Sequence, residues 1–436
     1  MTITTQISGW GGYPKVAAQV FTPLSRSALH AQVTEQQSLI TRGMGRSYGD
    51  SANAPCVLQT TCCDHFLAFD ANTGQLTAEA GITLREILKV IVPQGWFLPV
   101  TPGTSYVTLG GAIASDVHGK NHHVAGTFGQ HVVSVNLLSG TGDIITTSPT
   151  VRADLFHATC GGMGLTGVIV TATVQLIPVQ SAFITQKTIK ANCIEAACAA
   201  FEANSRSTYS VAWIDCLATG KNLGRSVVML GEHANSGGLA PTVKDPVTVP
   251  MYMPAALLNS LAIRAFNNLY WTKAKDNTTQ TVPLMSYFYP LDTIGQWNKV
   301  YGKAGFVQYQ FVLPKADGIA NMRKILTRIA QSGQGSFLAV LKQFGVTNNN
   351  LLSFPIDGYT LALDFKMTTA TIPMLHKLDD MIADMGGRVY LTKDAVMREV
   401  SFKSTYSKWQ AFEEVRQKYG AIGKFASAQS KRLGLA

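Results

Sequence analysis

The apolar positions of the first 180 residues fall into short runs separated by turn residues. Residues 65–69 and 75–80 read as strands joined by the turn Asn72-Thr73-Gly74. The period then lengthens. Leu84, Ile87, Leu88 and Ile91 recur at helical spacing, with Thr83 placed to cap the first turn and Pro93 just beyond the last. Residues 99–123 are rich in small side chains and predict a loop. A hairpin is expected from 131–138 and 143–147 around Gly140-Thr141-Gly142, a short helix at 153–159 and a strand at 168–177. After Pro178 the pattern changes, and strands at 306–313 and 360–365 alternate with amphipathic helices at 318–331 and 372–385. The whole predicts an α+β protein whose organisation shifts near residue 180.

Size and composition narrow the class. A chain of 436 residues exceeds what one hydrophobic core normally holds, so two domains are expected, 1–180 and 181 onward. Hydrophobic residues make up 46% and charged residues 14%, which fits a packed protein and not a disordered one. The seven cysteines lack metal-binding spacing and read as free thiols of a reducing compartment. Residues 1–12 lack a basic region followed by an apolar run, and no apolar stretch has spanning length. The expected location is therefore cytoplasmic, with peripheral contact at the inner membrane as the further option. A net charge of +10 favours an anionic partner. With no Lys/Arg block, zinc-finger spacing or RNP-like motif, nucleic acid is not that partner.

Glycines carry the first chemical signal. From Gly43 through Gly45 to Gly49 the spacing is one residue too long for a dinucleotide fingerprint, and turn residues follow where a helix is required. Gly162 to Gly167 fits GxGxxG by letter but runs from helix into strand, the reverse of the required order. What residues 42–50 do offer is a glycine-kinked loop of backbone N–H groups, the kind of nest that holds a pyrophosphate. Pro102-Gly103-Thr104 and residues 108–114 add small residues that let backbone approach a flat cofactor.

Arg42-Gly43-Met44-Gly45-Arg46-Ser47-Tyr48-Gly49-Asp50, Pro102-Gly103-Thr104, residues 108–114 and Asp116-Val117-His118-Gly119-Lys120-Asn121-His122-His123 resemble, in order, one known cofactor domain. It is the FAD domain of the vanillyl-alcohol-oxidase and p-cresol-methylhydroxylase (PCMH) superfamily. Residues 305–311, Lys342, Phe344-Gly345, residues 352–356, Gly386-Gly387-Arg388-Val389-Tyr390 and Lys393-Asp394 resemble the substrate half of one branch. That branch is the FAD-dependent oxidase subunits of decaprenylphosphoryl-ribose 2′-epimerase.

The resemblance implies a two-domain flavoprotein: a PCMH-type FAD domain at 1–180, a mixed-sheet substrate domain at 181–385, and a segment at 386–436 returning to the flavin. It assigns cofactor contacts to Arg42, Gly43, Gly45, Arg46, Ser47, Tyr48, Gly49, Asp50, Gly103, Thr108, Gly110, Gly111, Ser115, Asp116, His118, Ile169 and Tyr390. Substrate contacts fall to Trp213, Phe288, Gln308, Gln310, Lys342 and Lys393. Tyr48 stands where covalent relatives carry a flavin-linked histidine, which implies non-covalent FAD. Three positions depart from the branch: Ala362 replaces a cysteine, Thr360 an asparagine and Phe288 a tyrosine.

The implied activity is oxidation of the 2-hydroxyl of a polyprenyl-phosphoryl-β-D-ribose-type sugar to the 2-keto sugar. This is the first half of a 2′-epimerisation in cell-envelope precursor synthesis, completed by a separate NAD(P)H-dependent reductase. Lys393, His118 and Tyr48 are the expected catalytic residues, with His118 as proton acceptor. Taken alone, His118 and Lys393 also fit an ordinary loop histidine and a surface lysine, and Gln308 with Gln310 fit an exposed strand face as well as a site wall. His118 and His122 lie four apart, but Gly119 and Asn121 between them oppose a metal-binding helix, so no metal is expected. Residues 251–275 are apolar and aromatic with a basic end; they read as a core helix or, alternatively, as a lid or membrane-surface element. Two other functions stay open: an alditol or aldonolactone oxidase acting on a soluble sugar, and a non-catalytic flavin-binding scaffold.

Overall fold

The computed structural model describes residues 2–241, 246–254, 259–336 and 338–435. Three larger sheets organise them, beside two two-stranded ones. The first holds β1 (Thr2–Ser8), β2 (Lys15–Phe21), β3 (Ile40–Arg42) and β4 (Cys56–Gln59) in the order β1-β2-β4-β3. The second holds β5 (Phe66–Asp70), β6 (Gln75–Glu79), β7 (Val132–Leu138), β8 (Ile144–Thr147) and β9 (Val168–Gln175) in the order β5-β6-β9-β7-β8. The third comprises β10 (Phe183–Ala191), β11 (Tyr209–Ile214), β12 (Ser226–His233), β13 (Thr278–Pro283), β14 (Phe306–Pro314), β15 (Ala339–Phe344), β16 (Gly358–Lys366) and β17 (Arg388–Val389). Its order is β13-β10-β12-β11-β15-β16-β14-β17, and its pairs are antiparallel.

The helices that position the site follow from local signals to different degrees. Helix α1 (Leu84–Ile91) begins where expected: the Thr83 hydroxyl accepts from the Glu86 N–H, and Leu84, Ile87, Leu88 and Ile91 are buried. Helix α2 (Leu109–Ala114) corrects the loop expected across 99–123. Thr108 caps it by accepting from Gly111 N–H at 3.1 Å, while Leu109, Ala112 and Ile113 face the core. Gly110 and Gly111 are poor helix formers, so packing and the cap decide the conformation here, against propensity. Helix α3 (Ala153–Thr159) matches its expectation.

Helix α4 (Ser260–Lys273) overturns the core-helix reading of 251–275 for its described part, since only Ile263 and Asn267 are buried. Residues 255–258, which that reading also covered, lie outside the described residues. Helices α5 (Gly318–Ser332) and α6 (Thr371–Asp384) cover one face of the third sheet, burying Met322, Ile325, Leu326, Leu375, Leu378 and Ile382.

The end of the chain clasps its beginning. Leu39 bridges Phe425, and the Ala426 N–H donates to Leu39 O at 3.1 Å. Beyond it, α7 (Ala428–Arg432) places Arg432 against Asp50 at 2.6 Å and Asp394 at 3.0 Å. Arg416, wholly buried, donates to Leu165 O and Phe425 O.

Candidate active site

One cavity of about 920 Å³ lies between the glycine loops of the N-terminal half and the third sheet. That is near the top of the roughly 300–1,000 Å³ range of small-molecule sites. Its sheet wall is a product of strand alternation. Trp213 pairs with Val340, Val340 with Ala362, and Ala362 with Gln310, so one row across four strands presents four side chains to the cavity. Two residues along, Gln308 and Lys342 also line it. The alternate residues Val307, Tyr309 and Phe311 turn the other way into the core beneath α5 and α6. The Gln308–Gln310 face is thus a site wall, not a solvent face.

The opposite wall is backbone. Among the described residues, the N–H groups of Gly43, Met44, Gly45, Arg46 and Ser47 have no backbone acceptor, and all five residues line the cavity. Gly45 has φ +62, and a Cβ there would strike the Arg42 guanidinium. This is the nest that an anionic pyrophosphate requires. Gly103, Thr108, Gly110, Gly111, Ser115 and Ile169 continue the same wall, so the residues present fit FAD. The Arg46 guanidinium stacks over Trp10 at 3.9 Å at this end. Asp292 accepts from the Thr104 hydroxyl and from Ser105 N–H and hydroxyl at 2.6–2.7 Å, tying the 103–106 loop to the far side.

Four expected cofactor contacts do not line the cavity. Arg42 is engaged in structure, donating to Ser8 O and Asn53 Oδ1 at 2.7 Å. Gly49 is a glycine because Asp394 O lies 1.9 Å from where a Cβ would stand. Asp50 pairs with Arg432. Asp116, buried with φ +40, accepts from Gly129 N–H, Asn348, Asn350 and Ser353, which knits the glycine-rich half to the loop after β15. The family resemblance implied these four as cofactor contacts; in the structure the side chains of Arg42, Asp50 and Asp116 have protein partners.

His118 lines the cavity, buried, with its ring already engaged by protein. Gln310 Nε2 donates to its Nε2 at 2.9 Å, leaving the ring proton on Nδ1, which has no partner among the described residues. Phe344 and Tyr390 rings stand 4.8 and 5.0 Å away. Burial, then the Lys342 charge, holds its pKa well below the usual imidazole value. With its basic nitrogen already engaged, His118 is poorly placed to accept a substrate proton. The Tyr390 hydroxyl donates to Ser115 O at 2.8 Å, bringing the C-terminal segment against α2.

Lysines supply the ionisable groups. Lys120, Lys342 and Lys393 are enclosed by protein, yet each opens part of its surface onto the cavity. Burial lowers Lys120 and Lys393 to about 7 and Lys342 to about 8. The Lys393 ammonium sits over the Tyr48 ring at 3.8 Å. Burial holds the Tyr48 phenol protonated, well above its ordinary range. Lys120 donates to Phe288 O at 3.2 Å, while the Phe288 ring packs among Phe97, Tyr209 and Tyr287. Sequence reasoning passed over Lys120, although it lies two residues from His118. It also passed over Asp364, a lone acid inside an apolar strand, which is itself a signal of a buried polar role.

A family model described as an FAD binding domain matches residues 23–148, the stretch that carries the nest and α2. Over its full length the chain is 34% identical to decaprenylphosphoryl-beta-D-ribose oxidase of Mycolicibacterium smegmatis, covering 98% of that protein. The chain belongs to the decaprenylphosphoryl-beta-D-ribose oxidase family. It is an FAD-dependent oxidoreductase of α+β fold. An uncharacterized protein of Streptomyces coelicolor is 32% identical over 81% of the chain and all of its own length. D-arabinono-1,4-lactone oxidase of Yarrowia lipolytica is 27% identical, but over only 38% of the chain and 35% of its own. Likeness to the oxidase family therefore reaches across both walls of the cavity, whereas likeness to this lactone oxidase covers little more than a third of the chain. Among the described residues, no helix is long and apolar enough to cross a membrane.

Proposed function

We propose that the chain oxidises the 2-hydroxyl of a polyprenyl-phosphoryl-β-D-ribose-type sugar to the 2-keto sugar. The observation that carries this reading is the pair Lys120 and Lys342. Both face the cavity, the charge of Lys342 depresses Lys120, and among the described residues no carboxylate offsets the burial of either. Two enclosed cations without an anion are costly, and a substrate phosphate is the group they lack. A free alditol brings no such charge. When bound, FAD supplies the hydride acceptor. The chain's own residues then hold the sugar against the sheet wall, exclude water with Trp213 and Tyr270 (rings 4.5 Å apart), and take the hydroxyl proton at Lys393.

The mouth supports the lipid part. Phe266 and Tyr270 of α4 and Ile294 border the cavity; Leu261, 76% exposed, and Leu269, 54% exposed, stand on the same helix, and Met251 and Tyr252 are exposed as well. Such an apolar rim suits an isoprenoid tail and a peripheral membrane contact. The 2-keto product fits the first half of a 2′-epimerisation, with a separate NAD(P)H-dependent reductase to take it on. Anaerobic mixing with polyprenyl-phosphoryl ribose should bleach the flavin, and free alditols should not. Rapid bleaching by alditols with none by the lipid sugar would reverse the assignment.

A further inference from the structure

Of the three cavity lysines, only Lys393 has a carboxylate acting on it, and that carboxylate is Asp364. Asp364 is 0% exposed. It stands on β16 directly opposite Gln308 of β14, between Leu363 and Phe365, whose side chains point into the core. Gln308 Nε2 donates to one carboxyl oxygen at 2.7 Å and the Tyr301 hydroxyl to the other at 3.0 Å. The Asp364 N–H donates to Ser336 Oγ at 3.0 Å, which fixes the backbone. No salt bridge reaches it among the described residues; the Gln308 and Tyr301 hydrogen bonds and then the Lys393 charge favour its ionised form.

The surroundings close into a ring. The Tyr301 ring stacks on Phe306 at 4.1 Å, Phe306 meets the edge of Tyr48 at 5.6 Å, and Tyr48 carries the Lys393 ammonium. The charged and titratable groups facing the pair are Tyr301 and Tyr48 on the Asp364 side, with Lys342 and His118 on the Lys393 side. Arg46 lies beyond Tyr48.

From this arrangement we infer that Asp364 is a positioning residue whose buried carboxylate neutralises the ammonium formed when Lys393, as the free amine, accepts the substrate hydroxyl proton. In that step the O–H bond breaks and an N–H bond forms at Lys393 Nζ. The adjacent C–H bonding pair leaves as hydride to the oxidised flavin, and the alcohol carbon becomes a carbonyl. Asp364 touches neither substrate nor cofactor; it lies behind Gln308 and acts through its charge on Lys393. Burial raises Asp364 to about 7 and lowers Lys393 to about 7, and each charge favours the ionised form of the other. This inference rests on Lys393 as proton acceptor, but the pairing is measurable without substrate.

The test is the pH dependence of acetylation at Lys393 by acetic anhydride, followed by peptide mass spectrometry on FAD-loaded and FAD-free protein. In Asp364→Asn the midpoint at Lys393 should move down by about one pH unit or more, because the anion that favours the ammonium is gone. The Lys120 midpoint serves as internal reference and should stay. The acid limb of kcat/KM should move the same way, with kcat falling about tenfold or more and KM little changed. Tyr301→Phe removes one donor to the carboxylate and should give a smaller shift in the same direction. This second variant decides the matter if Asp364→Asn fails to fold. An unmoved Lys393 midpoint in a folded variant overturns the pairing. A moved midpoint with an unaltered rate profile overturns the proton-acceptor role instead.

Discussion

The Lys393 ammonium lies 3.8 Å from the centre of the Tyr48 ring, which joins the first glycine loop to the C-terminal segment at the heart of the cavity. Backbone contacts hold the two together: the Tyr48 N–H donates to Thr392 O at 3.0 Å, and Gly49 leaves room for Asp394 O. A cation over an aromatic face is attracted by the ring quadrupole, more so where water is excluded. Tyr48 thereby aims Lys393, and its phenol stays protonated. The pair belongs to the closed chain, since neither segment holds the geometry alone.

Replacing Lys393 tests that geometry. Lys393→Ala should lower substrate-driven flavin reduction by about 10²-fold or more, the usual scale for loss of a proton-transfer group. FAD should stay bound, because the nest offers backbone N–H groups that this side-chain substitution leaves in place. Anaerobic stopped-flow absorbance, with flavin content read from the same spectrum, separates the two effects. Near-normal bleaching would remove Lys393 from the proton step.

Attachment of FAD is the second test. Tyr48 has no nucleophilic nitrogen to offer, and its phenol is kept neutral by burial. Acid precipitation should therefore release all flavin colour into the supernatant. Colour retained in the pellet after washing would mean a covalent link elsewhere.

How much of this was legible in the sequence depends on how local each signal is. Helix α1 was readable because Thr83, Glu86 and the four buried apolar residues all lie within nine positions. Helix α2 was not, because Gly110-Gly111 argues against helix and the stabilising contacts of Leu109 and Ile113 are tertiary. The Gly43–Ser47 nest was legible as a glycine pattern, whereas the occupations of Arg42, Asp50 and Asp116 depend on partners far along the chain. Asp364 shows the same limit: Tyr301 and Lys393 lie well outside its strand, so only its acidity among Leu361, Leu363 and Phe365 marked it.

The apolar rim makes the third prediction. Helix α4 is held from below by polar contacts, with Asn267 donating to Asp215 and Arg225 donating to Asn268, both at 2.7 Å. Leu261 and Leu269 are therefore free to face lipid without supporting the fold. Each buried leucine contributes roughly 1.5–3 kcal/mol on leaving water. Changing both to glutamate should cut vesicle binding about tenfold or more in a sedimentation assay, while turnover of detergent-dispersed substrate stays close to normal. Unaltered sedimentation would place any membrane contact elsewhere.

The last prediction concerns stability against pH at a site remote from the cavity. Asp379 on α6 is buried beneath β14, and the Tyr309 hydroxyl donates to its Oδ1 at 2.6 Å. Its Oδ2 has no partner among the described residues, and burial raises its pKa to about 7. The unfolded chain should titrate this group near its ordinary value of about 4, so the native state binds the proton more tightly. Stability from this group is then fully present at pH below about 4, declines as pH rises towards 7, and is flat above. Asp379→Asn keeps an acceptor for Tyr309 and removes the charge. The variant should match the wild type near pH 4 and exceed it above pH 7, by an amount on the order of a few kcal/mol. Thermal melts from pH 5 to 8 read the difference directly, and a gap between the two proteins that fails to widen with pH would show that Asp379 ionises in the native state without cost.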